Sequence, residues 1–252
     1  GGILGTELTA HAAPDGYMLL VGSNGPLTVN PFVHLNLGYD PLKDFAAVAL
    51  TSYVPHALIM SNKVTAKTLQ DVIAMSKTAP VTIATSGIGS ATHMTLERFK
   101  AATHANLTHV PYRGGGAMLP DLLAGNVNGA MTEFSTALPL HKGGKAHIVA
   151  VASAKRPQLA PDIPTFIEGG VKGFIAQSYI GIMAPAKTPP AVVAQLQKAV
   201  ADGLQGGPAV ERLKSLGSEI ATPEQMTSKG FAAFLKEDFA NMKAAAKLAG
   251  IV

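Results

Sequence analysis

The chain has 252 residues, 47% apolar and only 14% charged, a balance that excludes disorder, and no apolar run reaches the roughly 18 residues of a membrane span. Its net charge of +4 is spread along the chain with no basic cluster among aromatics, which argues against nucleic acid. The absence of cysteine excludes thiol catalysis, cysteine-held metals and disulfides.

In chain order, Thr6 to Ala13 reads as an amphipathic helix closed by the turn Pro14-Asp15-Gly16. Tyr17 to Gly22 is a short apolar run, expected as a buried strand. Ser23 to Asn30 is expected as a polar Gly/Pro loop. A turn at Pro41 to Phe45 leads into extended chain at Ala46 to Leu50 and His56 to Met60. Thr68 is placed to cap a helix carrying Leu69, Val72 and Ile73, stopped by Pro80. Val81 to Ala84, Leu107 to Val110, Val127 to Thr132 and His147 to Ala152 read as strands, and Phe174 to Ala184 as extended. Thr92 to Thr103, Ala117 to Ala124, Ala191 to Gly203, Ala209 to Leu216, Pro223 to Thr227 and Phe231 to Leu248 read as helices. This alternation predicts an α/β fold with a mainly parallel sheet. Thr51 to Ala57 and Gly173 to Gly181 are the segments expected to carry the chain between two lobes, with 57–178 as one and 1–56 plus 179–252 as the other.

Three small-residue loops follow strands. In Thr85-Ser86-Gly87-Ile88-Gly89-Ser90-Ala91-Thr92 the glycines let backbone approach a ligand, the following helix offers unpaired N–H groups to an anion, and Ser86, Ser90 and Thr92 add hydroxyls. The plain alternative is a turn with Ser90 as N-cap. Thr92 occupies the place of the third glycine of a dinucleotide fingerprint, and no Gly-Lys-Ser/Thr follows, so neither nucleotide motif is present. Pro111-Tyr112-Arg113-Gly114-Gly115-Gly116 repeats the pattern, with Arg113 either a carboxylate partner or a surface side chain. Gly22-Ser23-Asn24-Gly25-Pro26 is the third. Loops at strand C-terminal ends are where open α/β sheets bind ligands. Glu133 ends a strand, either accepting from an ammonium, amide or hydroxyl or simply exposed. His93, His104 and His109 lack the spacing of a metal motif, and no GxSxG elbow exists for a hydrolase. No cofactor is implied.

The runs Ala12-Ala13-Pro14-Asp15-Gly16-Tyr17, Tyr39-Asp40-Pro41-Leu42-Lys43-Asp44-Phe45, His109-Val110-Pro111-Tyr112-Arg113-Gly114, Asp121-Leu122-Leu123-Ala124-Gly125, Pro161-Asp162-Ile163-Pro164-Thr165 and Ala184-Pro185-Ala186-Lys187-Thr188-Pro189 follow one another in an order that resembles the Bug receptors, the periplasmic binding proteins of tripartite tricarboxylate transporters. The resemblance spans essentially the whole chain. It implies a two-lobed type II periplasmic-binding-protein fold, a periplasmic location, a small carboxylate ligand (dicarboxylate, aromatic acid or related compound), membrane permease subunits as partners and no catalysis; a monomer is the expected state. It places the ligand against Ser23 and Asn24 of the first lobe, and Ser86, Gly89, Ser90, Thr92, His93, Tyr112, Gly114, Gly115 and Glu133 of the second. Glu133 stands where the resemblance implies an Asp that contacts an amino group, and the longer side chain shortens the pocket or shifts that contact. Because such receptors open with a strand and a Pro/Gly loop ahead of the Gly-rich segment met here, a fold lacking the N-terminal strand–helix unit is expected. The competing readings are an enzyme on the same scaffold, hydrolase or transferase, and a sensor without transport.

Overall fold

The computed structural model describes residues 2–34 and 36–248, with side chains as far as residue 243; the expected first lobe's outermost positions, 1 and 249–252, lie outside these. The elements in order are α1 (Ile3–Ala10), β1 (Leu20–Gly22), a π-turn at Gly25–Val29, α2 (Asn30–Val33), β2 (Phe45–Ser61), α3 (Leu69–Thr78), β3 (Val81–Thr85) and α4 (Ala91–Thr103). Then come β4 (Leu107–Pro111), a 3-10 turn at Gly115–Met118, α5 (Leu119–Ala124), β5 (Gly129–Glu133), α6 (Phe134–Lys142) and β6 (Ala146–Val151). β7 (Gln177–Pro185), α7 (Pro190–Gly203), α8 (Pro208–Ser215), β8 (Glu219–Ile220) and α9 (Ser228–Leu248) complete the chain. None of the described helices is long and apolar enough to cross a membrane.

The chain divides into two compact units. One comprises Val54–Ser178 with Ser215–Ser218; the other comprises Gly2–Tyr53, Tyr179–Lys214 and the segment from Glu219 onward.

The first unit is built on a mixed sheet. β3 lies parallel to β4 and β5, with Ile83 opposite both His109 and Gly129. The second half of β2 runs antiparallel to β5, His56 opposite Glu133, and antiparallel to β6. Two apolar clusters cover its faces. One gathers Leu58, Met60, Leu69, Leu96, Phe99, Phe166 and Phe174; the other gathers Ile59, Met118, Leu122, Phe134, Leu138 and Ile163. α3 starts as the sequence predicts: Thr68 Oγ1 accepts from Asp71 N while the Asp71 carboxylate accepts from Thr68 N, a reciprocal capping box.

In the second unit β1 pairs antiparallel with β7, Leu20 opposite Met183, and β8 pairs antiparallel with β2 around Ser52 and Tyr53. Leu27, Leu50, Tyr179, Met183 and Phe231 form its core. Gly181 makes room for the ring of Phe231, which a β-carbon there would enter.

The structure corrects several expectations. The sheets are mixed rather than mainly parallel, since β1 with β7, and β2 with β5, β6 and β8, pair antiparallel. The strand expected over Tyr17 to Gly22 shrinks to three residues, with Tyr17 94% exposed, because the turn at Asp15-Gly16 still governs it. The expected loop over Ser23 to Asn30 is helical: Leu27 and Val29 are buried, and that burial outweighs the turn propensity of Asn24, Gly25 and Pro26. Helix α1 begins and ends three residues earlier than expected. Pro223 to Thr227 is a hydrogen-bonded turn, not a helix. α6 was not expected, since Pro139 sits inside it.

Candidate functional site

The loop between β3 and α4 is organised by hydrogen bonds among its own small residues. Ser90 caps α4, its Oγ accepting from His93 N at 3.1 Å. Ser86 N donates to Thr92 Oγ1 at 3.1 Å, Gly87 N to Thr85 Oγ1 at 3.2 Å, and Gly89 N to His93 Nδ1 at 3.3 Å. The three hydroxyls form a chain: Ser90 Oγ is 3.0 Å from Thr92 Oγ1, which donates to Ser86 Oγ at 3.2 Å. With the Thr92 hydrogen on Ser86 and the Ser90 hydrogen on Thr92, the Ser86 hydroxyl hydrogen remains to be given outward. The backbone N–H groups of Ala91 and Thr92, at the start of α4, have no acceptor among the described residues. A helix start with free N–H groups carries partial positive charge.

Glycine is needed at position 87. Its φ is +121°, and a β-carbon there would lie 2.7 Å from the carbonyl oxygen of Tyr112. The two loops therefore pack backbone to backbone, with Tyr112 N donating to Thr85 O at 3.1 Å. Gly115 opens the space beyond: a β-carbon on it would be 3.8 Å from Ser86 Oγ, 3.8 Å from Glu133 Oε2 and 3.9 Å from Thr132 Oγ1. A hydroxyl donor and a carboxylate thus border one side-chain-free spot.

Behind the loop His93 stacks on His109, ring centres 4.1 Å apart, and His109 Nε2 meets Thr85 Oγ1 at 2.7 Å. Burial, aided by His93, pushes His109 down to about 4, and burial also lowers His93, so both rings are neutral at pH 7. They act as packing and acceptor groups.

The sequence-nominated residues separate into groups. Ser86, Gly89, Ser90, Thr92 and His93 share the β3–α4 loop, with Gly115 and Glu133 facing it. Gly114, φ +114°, makes the turn into the 3-10 segment. Tyr112 contributes backbone only, its hydroxyl donating to Asp121, while Arg113 is exposed. Ser23 and Asn24 belong to the other unit. There Asn24 Oδ1 accepts from Tyr179 N at 2.9 Å, which ties the π-turn to β7, and Ser23 is half-buried. Sequence reasoning missed Thr132, Ser178 and His56, which lie next to Glu133. Nothing local marks them, because 122 residues separate the hydrogen-bonded pair His56 and Ser178.

Two α/β units on the plan of known periplasmic binding proteins place the chain in the type II periplasmic solute-binding class. The chain belongs to the tripartite tricarboxylate transporter family receptors, periplasmic solute-binding proteins, matching that family over residues 1–250. It is 33% identical over 238 residues to protein BugT of Bordetella pertussis, covering 92% of this chain and 72% of BugT. Among solved structures, MatC of Rhodopseudomonas palustris with bound malate superposes with a TM-score of 0.89 at 29% identity, covering 97% of this chain and 84% of MatC. A second R. palustris protein, with adipate, gives 0.93 at 29% identity and covers 99% and 83%. The periplasmic binding protein BugD gives 0.93 at 31% identity and covers 100% and 84%.

Proposed function

We propose that this receptor captures a small carboxylate, with the ligand's carboxylate held at the start of α4. The observation that carries the reading is the hydrogen count in the β3–α4 loop. The loop's three hydroxyls satisfy one another in a chain, which leaves three donors near the start of α4: the Ser86 hydroxyl and the N–H groups of Ala91 and Thr92. Anions suit such a site. Malate and adipate in similar proteins point to the same ligand class. The remaining nominated residues, Ser23, Asn24, Gly89, Ser90, His93, Tyr112, Gly114, Gly115 and Glu133, are proposed to shape or contact the ligand, and closure of two lobes on it to be the signal read by permease subunits. A monomer suffices for this role.

Binding without turnover is favoured over catalysis by how the nearest nucleophile and base are used. Ser90 Oγ caps α4, and His93 Nδ1 takes the Gly89 N–H, so neither activates the other.

The test is thermal unfolding against mono- and dicarboxylates, acidic amino acids, and nicotinic and benzoic acids. A true ligand at about 100 times its Kd adds roughly 2.7 kcal/mol of stability. One class should raise Tm and be recovered unchanged. No shift with any member would reject the carboxylate reading.

A further inference from the structure

A buried line of polar groups runs from α4 to the candidate site. Thr95 Oγ1 lies 2.7 Å from His56 Nδ1, and Ser178 Oγ lies 2.9 Å from His56 Nε2. Ser178 Oγ reaches Glu133 Oε1 at 3.4 Å, and Glu133 Oε2 accepts from Thr132 Oγ1 at 3.4 Å. His56 is 1% exposed, Thr95 3% and Ser178 5%. The β2–β5 register sets His56 opposite Glu133.

Counting hydrogens leaves two settings. Thr95 and Ser178 each own one hydrogen, and a neutral imidazole adds one N–H. In the first setting the N–H is on Nε2 and faces Ser178, the Ser178 hydrogen faces Glu133, and the Thr95 hydrogen turns to Nδ1. In the second the N–H is on Nδ1, Thr95 gives its hydrogen to the Ala91 carbonyl at 3.0 Å, and Ser178 gives its own to Nε2. The second turns Ser178 lone pairs on Glu133, so an ionised carboxylate admits only the first. Burial holds His56 down to about 3, with Arg98 adding to the effect, so no second ring proton relieves the choice.

We infer that His56 is a positioning residue for the ligand site: through Ser178 it fixes the Glu133 carboxylate by Oε1, with Oε2 beside the Gly115 spot, so that the Glu133 end of the site takes a hydrogen-bond donor in preference to a second carboxylate. This rests on the carboxylate-receptor reading, whose ligand would present its carboxylate to α4 and its other end to Glu133.

The experiment has two arms on the whole chain. Calorimetric titration compares 4-hydroxybutyrate with succinate, equal in length but ending in a donor or a carboxylate, with butyrate as reference. The wild type should bind 4-hydroxybutyrate at least about tenfold more tightly than succinate. Ser178→Ala and His56→Leu should reduce that preference to about threefold or less, while butyrate affinity stays within about threefold. Tighter binding of succinate by the wild type, or a preference unchanged in Ser178→Ala, overturns the inference; Ser178→Ala decides alone if His56→Leu does not fold. The second arm reads the His56 ring by 15N NMR. The wild type should carry the Nε2–H form, and Glu133→Met, which removes the acceptor, the Nδ1–H form. The same form in both overturns the inference. If none of the three acids binds the wild type and the wider panel gives no Tm shift, the carboxylate reading fails; the NMR arm still decides whether His56 and Glu133 are coupled through Ser178.

Discussion

Gly87 shows how a single position holds a site in shape. Its backbone conformation is one that L side chains rarely adopt, and the carbonyl of Tyr112 fills the place of a side chain. Gly87→Val should therefore cost about 2 kcal/mol or more, seen as a lower Tm, and should abolish the ligand-induced Tm shift by spreading the two loops. The glycines and serines of this loop stood out in the sequence with two readings, a ligand cradle or a plain turn with Ser90 as N-cap, and Ser90 does cap α4. The individual roles were less legible. Ser90 and Thr92 look like ligand donors on paper, yet their hydroxyls close the chain that leaves Ser86 as the giver. Ser178 and His56 could not be linked to Glu133 without the fold, since their contacts cross the sheet rather than follow the chain.

Among the elements, those with strong local signals appear where expected. Thr68, Asp71 and Pro80 bracket α3, and Thr68→Ala should lower stability by about 1 kcal/mol in urea unfolding through loss of the cap. Elements decided by burial rather than by local chemistry were illegible. The turn after Asn24 is rich in loop formers but buries Leu27, and α6 tolerates Pro139 because its Phe134, Ala137 and Leu138 face the core. Strand direction was equally hidden. An apolar run such as Leu58 to Met60 looks the same whether its neighbours are parallel or antiparallel, and β2 takes antiparallel ones. Within β7, Gly181→Val is allowed by the extended backbone but must displace the Phe231 ring. A loss of about 1–3 kcal/mol is expected, measured by denaturant melts.

For the molecule as a whole, buried imidazoles predict acid lability. Free in an unfolded chain, His56 takes a proton near its ordinary 6.5; in the folded protein it does so only at about 3. The unfolded state therefore binds more protons between those values, and stability falls as pH drops through that window. Between pH 7 and pH 5 the loss from His56 is roughly 2 kcal/mol. Lowered His93, His109 and His147 act in the same direction. Urea melts at the two pH values should show this difference, and His56→Leu should reduce it.

The division of the chain bears on how it acquires its fold. Val54–Ser178 is one nearly continuous stretch, whereas the other unit is assembled from segments on both sides of it. Where that stretch begins and ends, its two strands are already joined, His56 N donating to Ala176 O at 2.9 Å and the His56 ring meeting Ser178. During synthesis from the N-terminus, residues 54–178 can condense while α7 and α9 do not yet exist. Once condensed, they bring Tyr53 and Tyr179 together, so the later pairing of Leu20 with Met183 no longer closes a long random loop. The middle of the chain thus serves as an internal splint, and a variant that loosens it should slow the maturation of the flanking segments.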